Sequence, residues 1–131
     1  MDFIKDKYGF WKQVDPVPIK YDEHYKELQK TTPEMSWLRL GNLFTVLNKN
    51  INDLSTWKVC DVGSGNGCFI KEAKKVFGYA CNYDLCGESI TQEELYSTKW
   101  DIIFLTDVLE HFEDINDLFK ISFKYLFISF P

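Results

Sequence analysis

The chain has 131 residues, a length that suits one domain with one sizeable core. Its 45% apolar and 17% aromatic residues exclude an intrinsically disordered chain. A formal net charge of −5 argues against grip on long nucleic acid, which needs clustered Lys and Arg, but leaves nucleotides and small RNA ends open.

No apolar run approaches the roughly 20 residues of a membrane span. The start, Met1-Asp-Phe-Ile-Lys-Asp-Lys, lacks the apolar stretch of a signal peptide, so a cytoplasmic, reducing location is expected. Cys60, Cys68, Cys81 and Cys86 are then free thiols, and none of their spacings suits structural zinc.

Residues 1 to about 20 read as irregular. Pro16 and Pro18 break any helix, while Phe3, Tyr8, Phe10 and Trp11 supply apolar surface. The favoured reading is an arm packed on the domain; the sharper alternative is a lid over a substrate pocket. Tyr21 to Lys30 allows a short helix with Tyr21, Tyr25 and Leu28 on one face and His24 in solvent. Thr32-Pro33-Glu34 is a helix start: a capping hydroxyl, a proline at the first position and an acid on the dipole. That helix is expected from Pro33 to about Asn48, with Met35, Leu38, Phe44 and Leu47 as core residues. Trp37, Leu40, Leu43 and Val46 widen its apolar surface, so it is expected to pack on two sides. Residues 1–55 are thus an arm and helical cap, and 56–131 the core of one compact domain.

Val59 to Phe69, V-C-D-V-G-S-G-N-G-C-F, runs from a buried strand through three alternating glycines into a helix over Asn66–Phe77. Phe69, Ile70, Ala73, Val76 and Phe77 share one face, and Gly78 is a plausible stop. Glycines allow a tight turn and close approach of a ligand to the backbone. A dinucleotide fingerprint would need its third glycine where Cys68 stands, and no G-K-[ST] follows. Tyr79 to Leu85 reads as a second strand ending in Asp84, at about the 20-residue spacing of a ribose-binding acid in doubly wound folds. Ser89-Ile90 allows a vestigial strand and Gln92–Tyr96 one helical turn. Asp114 is expected to cap a helix to Phe123, with Ile115, Leu118, Phe119 and Phe123 inward. Tyr125 to Phe130 reads as a parallel strand covered on both faces.

D-V-G-S-G-N-G resembles motif I of the class I S-adenosylmethionine-dependent methyltransferases. Trp100 to Phe112, W-D-I-I-F-L-T-D-V-L-E-H-F, resembles that family's fourth strand and the turn after it. The resemblance spans about Val59 to Phe130. It implies a Rossmann-like α/β fold: a doubly wound, mostly parallel sheet, here an incomplete class I methyltransferase fold with an N-terminal helical cap. It also implies S-adenosyl-L-methionine as cofactor and in-line methyl transfer to a hydroxyl or similar nucleophile of a small molecule or RNA end. Such transfer mostly needs alignment and exclusion of water. By motif matching, Asp61, Gly63, Ser64, Gly65 and Gly67 wall the methionine part, Asp84 takes the ribose hydroxyls and Leu85 lies against the adenine. Asp107 would lie near the methionine or the acceptor. Asp107, Glu110 and His111 are the catalytic candidates, and their spacing looks like the E-x-x-E-H motif with which some relatives hold a divalent ion. The small-RNA enzymes add a downstream histidine, whereas the only other one here is His24, so no metal is assigned. The alternative for Glu110 and His111 is a turn-stabilising pair.

Two departures stand out. Cys86 to Lys99 is short for the helix and strand of a full member, leaving Glu88 as a weak adenine-binding candidate, more simply a solvated acid. The sequence stops at Pro131, where relatives continue through a helix and a hairpin. Truncation ranks first among the explanations, before a natural minimal domain or a protomer completed by a partner. The fifth family strand would then be an apolar edge open to oligomerisation. The rival function is an inactive S-adenosylmethionine- or nucleotide-binding module acting through assembly; a nicotinamide-dependent oxidoreductase is a weaker third.

Overall fold

Val59, Cys60, Asp61 and Val62 are all buried, and so are Ile102, Ile103, Phe104 and Leu105. Unbroken burial along a strand requires cover on both faces, as at the centre of a parallel sheet. The computed structural model describes residues 3–7, 9, 11–14, 31–49, 51–63, 65, 67–84, 89–106, 108, 109, 112 and 114–129, with the backbone alone at 11–13 and 51–52. Its elements in chain order are β1 (Phe3–Lys5), β2 (Trp11–Gln13), α1 (Pro33–Leu47), β3 (Lys58–Val62), α2 (Cys68–Ala73), β4 (Tyr79–Tyr83), α3 (Gln92–Ser97), β5 (Lys99–Thr106) and β6 (Ser122–Ser129). Short 3-10 turns cover Ile51–Leu54 and Ile115–Lys120.

Strands β3 to β6 form one parallel sheet in the order β4-β3-β5-β6. Cys60 registers with Cys81 on one side and Ile103 on the other, and Ile103 with Leu126. The chain moves outward from β3 to β4, then crosses back to β5 on the other side of β3. A doubly wound sheet opens its binding crevice at such a reversal, beyond the carboxyl ends of the strands. Here that point lies where β3 runs into the glycines.

One face of the sheet carries Leu40 and Leu43 of α1 with Phe69, Ile70, Val59, Ile102 and Phe104. Phe104 is its hub, with ring centroids 4.8 Å from Phe69 and 5.5 Å from Phe127. The other face gathers Val62, Leu95, Trp100, Ile103, Leu105 and Leu118. The Trp100 indole N–H is satisfied by the Leu95 carbonyl at 2.9 Å, as a buried polar atom requires.

Helix α1 starts as its sequence predicts. Thr32 Oγ1 accepts from the Met35 amide at 3.2 Å. The helix ends on Asn48 in the left-handed region, φ 51, with its amide turned back to Phe44 and Thr45. The buried face matches the expected one in part: Phe44 and Leu47 pack against the core, but Met35 and Leu38 do not. Leu40, Leu43 and Ser36 are buried, whereas Leu38 is 68% exposed and Met35 and Val46 also face outward. The helix therefore packs on one side rather than two. It is pinned to α2 by Trp37, whose indole N–H donates to Glu72 Oε2 at 2.9 Å, and Lys75 holds the same oxygen at 2.6 Å.

Other expectations need correction. Residues 3–13, read as irregular, contain the antiparallel pair β1–β2, with Ile4 opposite Lys12. Three-residue strands are too short to show a period. The helix expected over Asn66–Phe77 is regular only from Cys68 to Ala73 and continues as turns. Gly78 is not a left-handed cap: a Cβ there would strike the Ser55 carbonyl oxygen, so its role is close approach of two backbones. No strand forms at Ser89-Ile90, although the Ile90 amide donates to the Asn82 carbonyl at 2.9 Å. The segment Asp114–Phe123 is a 3-10 turn capped by Asp114, after which Phe123 already belongs to β6. Phe119 is 63% exposed, not inward. Strand β6 is only half-covered, because it is the sheet's outer strand; Tyr125 and Ile128 are exposed. The helix read over Tyr21–Lys30 lies outside the described residues.

Candidate active site

The turn after β3 needs its glycines for different reasons. Gly63, Gly65 and Gly67 have φ of 77, 58 and 75, a region side chains disfavour. The Gly63 amide donates to the Tyr83 carbonyl at 2.8 Å, which ties the turn to the end of β4. A Cβ on Gly63 would also run into the Val108 side chain, just past β5, so the loop after β5 closes on this glycine. A Cβ on Gly67 would meet nothing within 4 Å. The turn is thus walled by protein at its first glycine and open at its third.

Asp84 stands beside the middle of that turn, at Gly65. Its Oδ2 accepts from the Gly65 amide at 3.0 Å, and its own amide donates to Ser89 Oγ at 2.9 Å. The parallel pairing of β3 and β4 ends at Val62 and Tyr83, so the two carboxyl ends emerge side by side. That register is why a separation of 19 residues becomes a contact.

Asp61 lies beneath the turn, 1% exposed, and its Oδ1 has no hydrogen-bond partner. Burial pushes its carboxyl up to about 7; Arg39 opposes that rise and Asp84 adds to it. Desolvation dominates, and at Oδ1 no bonded donor offsets the lost water. Arg39, the sole arginine of the chain, is a residue that sequence reasoning missed. It sits in α1, and its uniqueness among many lysines was the one signal available. A guanidinium is less strongly hydrated than an ammonium and better suited to a partly buried charge.

The structure brings together Asp61, Gly63, Gly65, Gly67 and Asp84. The remaining candidates, Ser64, Leu85, Asp107, Glu110 and His111, lie outside the described residues, as do Glu88 and His24. Their neighbours Val108, Leu109 and Phe112 pack against the core that contains Trp100 and Ile103.

The profile of the methyltransferase-domain family matches residues 21–127. The chain belongs to that family. The match reaches back through α1, so the helix left without a motif in the sequence is part of the methyltransferase domain. The four-stranded parallel sheet is accordingly a Rossmann-like methyltransferase fold. Comparison with curated proteins and with solved structures gave no match. Among the described residues, no helix of the methyltransferase domain is long and apolar enough to cross a membrane.

Proposed function

We propose that this methyltransferase domain uses S-adenosyl-L-methionine and methylates a hydroxyl or similar nucleophile on a small molecule or RNA end. The observation that carries the proposal is the meeting of Asp84 and Gly65 in a glycine turn that is open at Gly67. Two further features fit that cofactor: a buried carboxylate oxygen without a donor, and a third glycine whose Cβ space is empty. When bound, S-adenosylmethionine supplies an activated methyl group on a sulfonium.

The chain's own residues then have positional tasks. At Gly67, where no protein atom fills the space of a Cβ, a ligand can approach the backbone. Asp84 is placed to exchange its bond to Gly65 for ribose hydroxyls, a charge-assisted interaction. Asp61, enclosed beneath the turn, favours a ligand's ammonium group through its charge rather than by contact. Asp107, Glu110 and His111 are assigned to the acceptor side, where a carboxylate or imidazole would orient the nucleophile or take its proton. A reducing, cytoplasmic setting is part of the same proposal.

Calorimetric titration with S-adenosylhomocysteine is the direct test. Saturable one-to-one binding is expected, and absence of any heat from folded protein removes the assignment. One observation favours the second reading, a module acting through assembly: the outer strand β6 presents Tyr125 and Ile128 to solvent. Light scattering alongside a methyl-transfer assay separates the two, since a monomer that turns over disposes of the module.

A further inference from the structure

Buried acids are normally paired. Glu72 obeys that rule, with Trp37 and Lys75 on one oxygen. Asp61 does not: it is fully enclosed and its Oδ1 is unpartnered. Leaving a buried polar oxygen unbonded is costly, and more so if it is charged. A carboxyl in that position is easier to keep neutral than ionised.

The surroundings of Asp61 are mixed in charge. From α1, Arg39 favours the anion. From the end of β4, Asp84 disfavours it. The register neighbours, Asn82 on β4 and Phe104 on β5, carry no charge. Cys60, one residue earlier, belongs to the opposite core, and its thiol is pushed up by Cys81, by burial and in part by Asp61 itself. Asp107 lies outside the described residues. Arg39 and Asp84 thus act on Asp61 in opposite directions, and burial adds to the push against its charge, which a cationic ligand at the turn would relieve.

We infer that Asp61 is a proton-linked anchor: it is neutral in the free domain at mildly acidic pH, and it gives its proton to solvent when a ligand bearing an ammonium or sulfonium charge settles against the glycine turn. This rests on the S-adenosylmethionine reading above and adds a pH dependence to it. The upward push of burial on this carboxyl, to about 7, supports the same conclusion. The sign follows directly. A cationic ligand prefers the Asp61 anion, so affinity rises with pH and levels off above about 7. Binding at pH 8 should be about tenfold tighter than at pH 6, one decade for one unit of deficit below the midpoint.

The test is calorimetry with S-adenosylhomocysteine at pH 6 and pH 8, each in two buffers of different ionisation enthalpy. Close to one proton released per ligand at pH 6, and about a tenth at pH 8, is the expected result. Binding with no proton release at pH 6 overturns the linkage and leaves the cofactor assignment standing. No binding at either pH overturns both. A second measurement needs no ligand: carboxyl-carbon NMR of the free domain should give an Asp61 midpoint near 7. Arg39→Gln should move it up and Asp84→Asn should move it down. A midpoint below 6, or shifts of the wrong sign, overturns the inference even if the ligand binds.

Discussion

The amide of Gly65 donates to Oδ2 of Asp84 across 3.0 Å, joining the turn after β3 to the end of β4. A carboxylate bonded to a backbone N–H is already oriented before any ligand arrives. Asp84→Ala should therefore weaken S-adenosylhomocysteine binding by at least about tenfold, the scale of a lost hydrogen bond to a charged group. Circular dichroism should show the fold retained. Unchanged affinity in calorimetry contradicts the ribose assignment.

Gly63 and Gly67 share a positive φ but not their surroundings. Gly67→Ala meets backbone strain alone and should cost about 1–2 kcal/mol. Gly63→Ala adds a collision with Val108 and should cost more, roughly a further 1–3 kcal/mol. Urea denaturation of the two variants side by side decides this; equal losses would mean that the loop after β5 does not close on Gly63.

Leu40 and Leu38 are two residues apart on α1, one fully buried and the other 68% exposed. Leu40→Ala should lose about 2–5 kcal/mol by leaving a cavity against Phe69 and Phe104. Leu38→Ala should change stability by less than about 0.5 kcal/mol. The reverse order in denaturation midpoints would restore the face read from the sequence.

Two acids should give the stability curve opposite slopes. Lys75, then the Trp37 indole, holds the Glu72 carboxyl below its ordinary value. Its contribution is present above the unfolded carboxylate range and is lost as pH falls through the folded value. Burial raises Asp61 to about 7, so its contribution is present below the unfolded value and is lost as pH rises to about 7. Thermal melts from pH 3 to 8 should show Glu72→Gln flattening the acid limb. Asp61→Asn should flatten a decline between about pH 4 and 7, worth up to about 1.4 kcal/mol per pH unit. If neither limb moves, both assignments of charge state fail.

Much of this site is written in local sequence. Glycines at 63, 65 and 67 specify a turn that side chains resist, whatever the rest of the chain does. Thr32-Pro33 marks the start of α1, and Thr91 with Glu94 forms a reciprocal capping box, another local signal, before α3. The runs Val59–Val62, apolar but for Asp61, and Ile102–Leu105 specify buried parallel strands. Such features act over a few residues, so a linear reading captures them. Long-range choices were decided elsewhere. Helix α1 is apolar around more than one face, so only packing against Phe69 and Ile70 selects Leu40 and Leu43 over Leu38. The apolar run of β6 is half-exposed because strand order, not composition, puts it outermost. Gly78 is required by a backbone more than twenty positions earlier. Motif spacing could name Asp61, but enclosure left its Oδ1 without a donor, and α1 brought the field of Arg39 to it. Charge and burial depend on what three dimensions bring together, and no stretch of sequence contains that information by itself.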